Sequence, residues 1–147
     1  MLGKVVQALN DAGIKYQITG GLAAITYGAK RQLQDIDIDV HKVDMPRIRE
    51  LFAQCITKDL YHFQDKTYDL YLITLNIDGV PVDISQTEDS YVFGKDTRKT
   101  KIESDLSRAV SVNYEGLGLL VQNKAELIRY KTLAGRDADL IDIEQMH

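Results

Sequence analysis

The spacing of hydrophobic positions changes several times along the chain, and each change predicts an element. Leu2, Val5, Val6 and Leu9 recur at helical spacing, which predicts an amphipathic helix from Leu2 to Ala12 closed by Gly13. The short apolar run Ile14 to Thr19 reads as a first strand, Gly20-Gly21 as a turn, and Leu22 to Gly28 as a short helix. A basic connection, Gly28 to Gln32, then leads into Asp35-Ile36-Asp37-Ile38-Asp39-Val40, a strict alternation of acidic and apolar residues. A period of two is a strand, with Ile36, Ile38 and Val40 turned to a core and Asp35, Asp37 and Asp39 projecting together from the other face. Asp44 and Pro46 mark the start of a helix from about Met45 to Cys55, with Ile48, Leu51 and Phe52 facing inward. The mixed, polar stretch Thr57 to Thr67 reads as a loop.

Tyr68 to Ile77 and Val80 to Ile84 form the clearest hairpin, because Asp78-Gly79 is a favoured pair for a tight two-residue turn. Pro81 cannot donate to a ladder, so its position faces an edge or a gap. Val80, Val82 and Ile84 share one face of their strand, which leaves Asp83 on the other, an acid in an apolar setting that asks for a partner. Lys95, Arg98, Lys99 and Lys101 make a local basic cluster after a flexible stretch, read either as a solvated loop or as a binding patch. Arg108 to Asn113 and Leu117 to Val121 suggest two short strands around Glu115-Gly116. Asn123 followed by Glu126 reads as a helix N-terminus, with Leu127, Ile128 and Leu133 as its inward stripe. Gly135 interrupts that helix before a last segment carrying Leu140, Ile141 and Ile143. The mixture of helices and strands points to an α+β or α/β fold, a mixed β-sheet flanked by helices.

Composition narrows the classes. With 147 residues the chain is the size of one domain, the last part of it, about 123 to 147, helical. An apolar fraction of 44% and a charged fraction of 27% are ordinary for a soluble globular protein. A net charge of −4 argues against nucleic-acid binding driven by the whole surface field. One cysteine, Cys55, permits no internal disulfide and fits a cytoplasmic setting; on its expected helix it reads as buried packing. No run reaches membrane-spanning length, so no membrane partner is expected. His41, His62 and His147 are scattered without ligand spacing.

The candidate chemistry lies between Ile18 and Val40. A glycine pair at a strand-to-helix junction lets the backbone turn tightly and approach a ligand, and the free N–H groups at the helix start attract anions such as phosphate. Three acids on one strand face repel each other unless cations sit among them, and magnesium, which takes oxygen ligands, is the natural one. Taken singly, each motif has a plainer reading: a glycine pair is often only a tight turn, and an acidic strand face is often only solvated. Asp39, at the strand end, reads as a surface residue or a spare ligand.

Gly20-Gly21, then Arg31 four residues ahead of Asp35-x-Asp37, resembles the nucleotidyltransferase superfamily with the DNA polymerase β type of core. The likeness is closest to small proteins related to antibiotic nucleotidyltransferases and to abortive-infection nucleotidyltransferases of the AbiEii type. Where that pattern has Ser or Thr midway between the arginine and the first aspartate, this chain has Leu33. The tail carries a second likeness: a lysine, an arginine and two aspartates three apart, here Lys131, Arg136, Asp139 and Asp142. For Lys131 and Arg136 a solvated helix face is the other reading.

The resemblance implies a minimal nucleotidyltransferase fold and transfer of a nucleoside monophosphate from a nucleoside triphosphate, with ATP the expected donor, to a hydroxyl or similar acceptor. It implies that Asp83 sits on a strand beside Asp35 and Asp37. Asp35, Asp37 and Asp83 would then be the catalytic and metal-binding acids, holding one or two Mg2+ ions, with Asp83 also placed to act as base. Gly20 and Gly21 would cradle phosphates, and Arg31 and Lys131 would neutralise their charge. The acceptor, a small molecule or a macromolecule, is not legible. A small open cleft admits a homodimer in which a second subunit completes the wall. Two rival classes stay open: a non-catalytic nucleotide-binding or regulatory protein, such as one half of a toxin–antitoxin pair, and a structural interaction domain.

Overall fold

The computed structural model describes residues 1–147. In chain order the elements are helix α1 (Leu2–Asp11), strand β1 (Tyr16–Thr19), α2 (Gly20–Thr26), β2 (Ile36–Val40), α3 (Met45–Leu51), β3 (Ile56–Gln64), β4 (Tyr68–Ile77), β5 (Val80–Gln86), β6 (Tyr91–Phe93), β7 (Lys99–Lys101), β8 (Val110–Tyr114), β9 (Leu117–Val121), α4 (Lys124–Ala134) and α5 (Asp137–Gln145). The strands form one mixed sheet in the order β7-β6-β4-β5-β2-β1-β9-β8, with β3 paired to β4 outside that path. Strand β2 lies inside the sheet, antiparallel to β1 and parallel to β5. Its alternation behaves as expected: Ile36, Ile38 and Val40 are buried, while Asp37 and Asp39 face the other way.

The core is built from the predicted stripes. Val5, Val6 and Leu9 of α1 and Met45 and Ile48 of α3 join Ile36, Ile38, Ile73, Leu75, Val82 and Ile84 of the sheet in one buried cluster. Leu9 is completely buried, so truncating it to alanine costs about 2–5 kcal/mol of stability. Asp78 and Gly79 both adopt positive φ, 53° and 84°, as the tight turn between β4 and β5 requires. Pro81 pairs with Asn76 of β4 and lies one residue before Val82, the first β5 residue registered on Ile36 of β2, so it occupies the predicted gap. No helix is long and apolar enough to cross a membrane.

Several elements depart from the sequence reading. The stretch read as a loop is β3, a nine-residue strand on β4. Its residues are almost all exposed, so no alternation of apolar and polar positions betrays it. Helix α3 stops at Leu51 instead of Cys55, because Phe52 leaves helical geometry and a single 3-10 turn, Ala53–Cys55, feeds the chain into β3. Leu51, the last residue of the helix, is 40% exposed and does not face inward as expected, while Phe52 stays buried, and Cys55 is half-buried on the turn. Two short strands form where none was read, β6 ahead of the basic cluster and β7 within it, and β8 begins at Val110 after a 3-10 turn over Leu106–Arg108. The basic cluster is partly spent on ion pairs: Lys99 on Asp69 and Lys101 on Glu103.

Candidate active site

Strand β1 passes directly into α2, so the glycine pair forms the first two residues of that helix. Gly20 has φ of +64°, and a Cβ there would run into the Asp37 carboxylate. Thr19 and Asp37 are register partners across β1 and β2, which brings Asp37 to this junction. A Cβ on Gly21 would meet the Arg31 guanidinium at 3.3 Å. The pair therefore makes room for one acid and one base.

Asp37 and Asp83 are direct neighbours in the parallel β2–β5 register. With Asp35, just before β2, they present carboxylate oxygens that all lie within 4.8 Å of one another. Burial, then the charges of Asp35, Asp83 and Asp39, push the Asp37 carboxyl up to about 8, with Lys131 pulling weakly the other way. Asp83 is raised as well, by burial first and by Asp35, against the hydrogen bond it accepts from Thr74 Oγ1 at 2.7 Å. Three carboxylates crowded this closely are a poor arrangement for protein alone, and an all-oxygen donor set of this kind suits a hard divalent cation such as Mg2+.

Asp39 lies deeper along the same face. It accepts from Gln17 Nε2 at 2.9 Å, and burial pushes its carboxyl up to about 6. It is half-buried, not the surface residue its place at the strand end suggested, because β1 and β5 flank it on both sides.

The facing wall comes from the two C-terminal helices. Asn123 caps α4 by accepting from the Glu126 backbone N–H, as the sequence predicted, and Gly135 separates α4 from α5. Lys131 is only 2% exposed, which excludes the solvated-face reading for it. Its Nζ donates to Asp142 at 3.0 Å and to Asp139 at 3.4 Å. Asp142 also accepts from Arg31 Nη1 at 2.7 Å. Asp139 takes the fork of Arg136, whose Nε and Nη2 donate at 2.8 and 3.1 Å. Burial would raise the Asp139 carboxyl, but Arg136 and then Lys131 outweigh it and hold it below the usual carboxylate range. Three cations thus converge on two buried carboxylates, leaving the wall with excess positive charge.

Between the walls runs a cleft of about 450 Å3, into which Arg31, Lys131 and Arg136 face from one side and Asp35, Asp37 and Asp83 from the other. Tyr68 and Tyr130 also line it, and the Arg136 guanidinium lies 5.1 Å from the Tyr68 ring. An apolar stretch is contributed by Phe63, Leu70, Leu72 and Ile102. The sequence reading found the acids, the glycines, Arg31 and Lys131, and noted Arg136, Asp139 and Asp142 only through the tail likeness. It missed Tyr61, Tyr68 and Tyr130, since a tyrosine in an apolar run carries no signal to separate lining from packing.

The family model for aminoglycoside-2''-adenylyltransferases matches residues 1–146. A search of curated proteins returns no match. Among solved structures, a nucleotidyltransferase-like protein from Thermotoga maritima superposes with a TM-score of 0.75 at 21% identity, covering 92% of this chain and 83% of that one. The lincosamide antibiotic adenylyltransferase LnuA, solved with lincomycin bound, gives 0.63 at 16% identity over 98% of this chain and 92% of its own. ANT(2'')-Ia in complex with adenylyl-2''-tobramycin gives 0.64 at 14% identity over 98% and 84%. At these identities the structural likenesses establish a shared fold.

Proposed function

We propose that this nucleotidyltransferase, a chain that belongs to the aminoglycoside-2''-adenylyltransferase family, takes ATP as its donor and moves the adenylyl group to a hydroxyl of a small polar acceptor. The observation that carries the reading is the cleft itself, with carboxylates of Asp35, Asp37 and Asp83 gathered within 4.8 Å on one wall and three arginine and lysine cations on the other. A triphosphate needs both: acids that would hold divalent cations on one side, and fixed positive charge on the other.

In this reading Asp35, Asp37 and Asp83 hold Mg2+, as two ions. Bound magnesium supplies charge neutralisation and Lewis-acid polarisation of the phosphoryl oxygens. Gly20 lets Asp37 approach the backbone, and Gly21 gives Arg31 its place beside the phosphates. Arg31 and Arg136 offer N–H groups not used on Asp142 and Asp139, and Lys131 adds a fixed charge behind them. Asp83 takes the proton of the acceptor hydroxyl; the acceptor oxygen bonds to the α-phosphorus, the bond to the β-phosphate oxygen breaks, and pyrophosphate leaves. Phe63, Leu70, Leu72 and Ile102 provide the apolar surface for the nucleobase or for the acceptor's carbon skeleton.

The test is a thermal-shift titration with each of the four ribonucleoside triphosphates, with and without Mg2+, on the wild type and on Asp37→Asn. A magnesium-dependent shift, largest with ATP and abolished by Asp37→Asn, is the expected result, since binding to the native state raises the melting temperature. No shift with any triphosphate overturns the reading. Mass spectrometry with ATP and a panel that includes tobramycin and lincomycin, ligands of the two antibiotic-modifying relatives, then reads the acceptor as an added adenylyl group.

A further inference from the structure

Strand β3 has an irregular register on β4 with a purpose visible at the site. Lys58 pairs with Thr74 and Tyr61 with Leu72, so three steps on β3 span two on β4. Register partners share a face of the sheet, and the extra residue reverses the alternation between Lys58 and Tyr61. Both side chains therefore lie on the face of Thr74 and Leu72, which is the cleft face. The Lys58 ammonium sits 4.0 Å from the centre of the Tyr61 ring, and the Tyr61 hydroxyl lies 2.8 Å from Thr74 Oγ1. Thr74 in turn donates to Asp83 Oδ1 at 2.7 Å.

The direction of this chain follows from proton counting. A hydroxyl has one proton, and Thr74 spends its own on Asp83, so Thr74 Oγ1 must accept from Tyr61. Each bond polarises the next, and the cation over the Tyr61 ring strengthens the first donor. One oxygen of Asp83 is thereby fixed, and no protein donor reaches Oδ2. A carboxylate on a strand otherwise has freedom about χ2, which this chain removes.

We infer that Thr74 and Tyr61 are positioning residues that lock the Asp83 carboxylate so that its free oxygen is presented to the bound divalent cation. The inference rests on the metal-site reading given above. Partners of metal ligands at this remove are worth about 10–100-fold in metal affinity.

The experiment is a titration of the full chain with Mn2+ alone, followed by the loss of the free-ion electron paramagnetic resonance signal. It uses the wild type, Asp37→Asn, Thr74→Val, Thr74→Ser and Tyr61→Phe, with the metal-free melting temperature of each recorded. The expected result is a dissociation constant raised about tenfold by Thr74→Val, raised less by Tyr61→Phe, and restored to near the wild-type value by Thr74→Ser, while the melting temperatures of the two Thr74 variants agree. Wild-type affinity in Thr74→Val overturns the inference, as does a Thr74→Ser variant as weak as Thr74→Val. A wild type that binds no Mn2+, or binds it as well after Asp37→Asn, overturns the metal site itself and the inference with it.

Discussion

The carboxylate of Asp37 rests against the backbone of Gly20, in the space a side chain at residue 20 would fill. The glycine is there for two reasons that act together: a φ of +64° and this close approach. Gly20→Ala is expected to lower stability by about 1–3 kcal/mol, the range for a non-glycine residue held in a sparsely populated backbone region. It also displaces Asp37 and abolishes the Mg2+-dependent shift with ATP. Denaturant unfolding reads the first effect and the thermal-shift titration the second.

Lys131 makes a different prediction. Its ammonium is buried against Asp139 and Asp142, each of which keeps one arginine when the lysine is removed. Lys131→Ala still leaves two buried acids short of a partner and is expected to cost about 3–5 kcal/mol, measured by the shift in urea midpoint. Truncating Arg31 instead, whose side chain is 38% exposed, should cost far less stability while weakening ATP binding.

Asp139 gives a pH dependence. Its carboxyl is held below the ordinary aspartate range in the folded protein, so its contribution to stability is complete above that range and is lost as pH falls through the lower folded value. Unfolding free energies compared between wild type and Asp139→Asn should differ by a constant amount from pH 7 to about pH 5 and converge below the ordinary aspartate range. A difference that grows as the pH drops would contradict the assignment.

Removing metal should separate the two walls of the cleft. With EDTA in place of Mg2+, the melting shift produced by ATP is expected to vanish or shrink strongly. Saturating Mg2+ and ATP at about 100 times the dissociation constant should raise stability by about 2.7 kcal/mol.

The most legible parts of the molecule are those whose chemistry and periodicity coincide. Asp35-Ile36-Asp37-Ile38-Asp39-Val40 announces a strand and a charged face at once, and Asp78-Gly79 announces its turn because few pairs tolerate two positive φ values. Two regions hide for opposite reasons. Strand β3 pairs on one side only and carries register shifts, so its exposed positions follow no period and Tyr61 reaches the site through an irregularity that local sequence does not encode. Helix α5 inverts the usual rule, burying Asp139 and Asp142 while Leu140 and Ile141 stand 45% and 52% exposed. Hydrophobic spacing would have turned that helix the wrong way round.

That inversion has a consequence for how the enzyme is assembled. Helix α5 buries charge where it meets the body, through Asp142 to Arg31 in the segment between α2 and β2, and through both acids to Lys131 of α4. Docking the last helix and aiming the arginines at the cleft are therefore a single event. A chain in which α5 is undocked leaves Arg31 and Lys131 without their carboxylate partners, so the positive wall of the cleft takes shape only as the fold is completed.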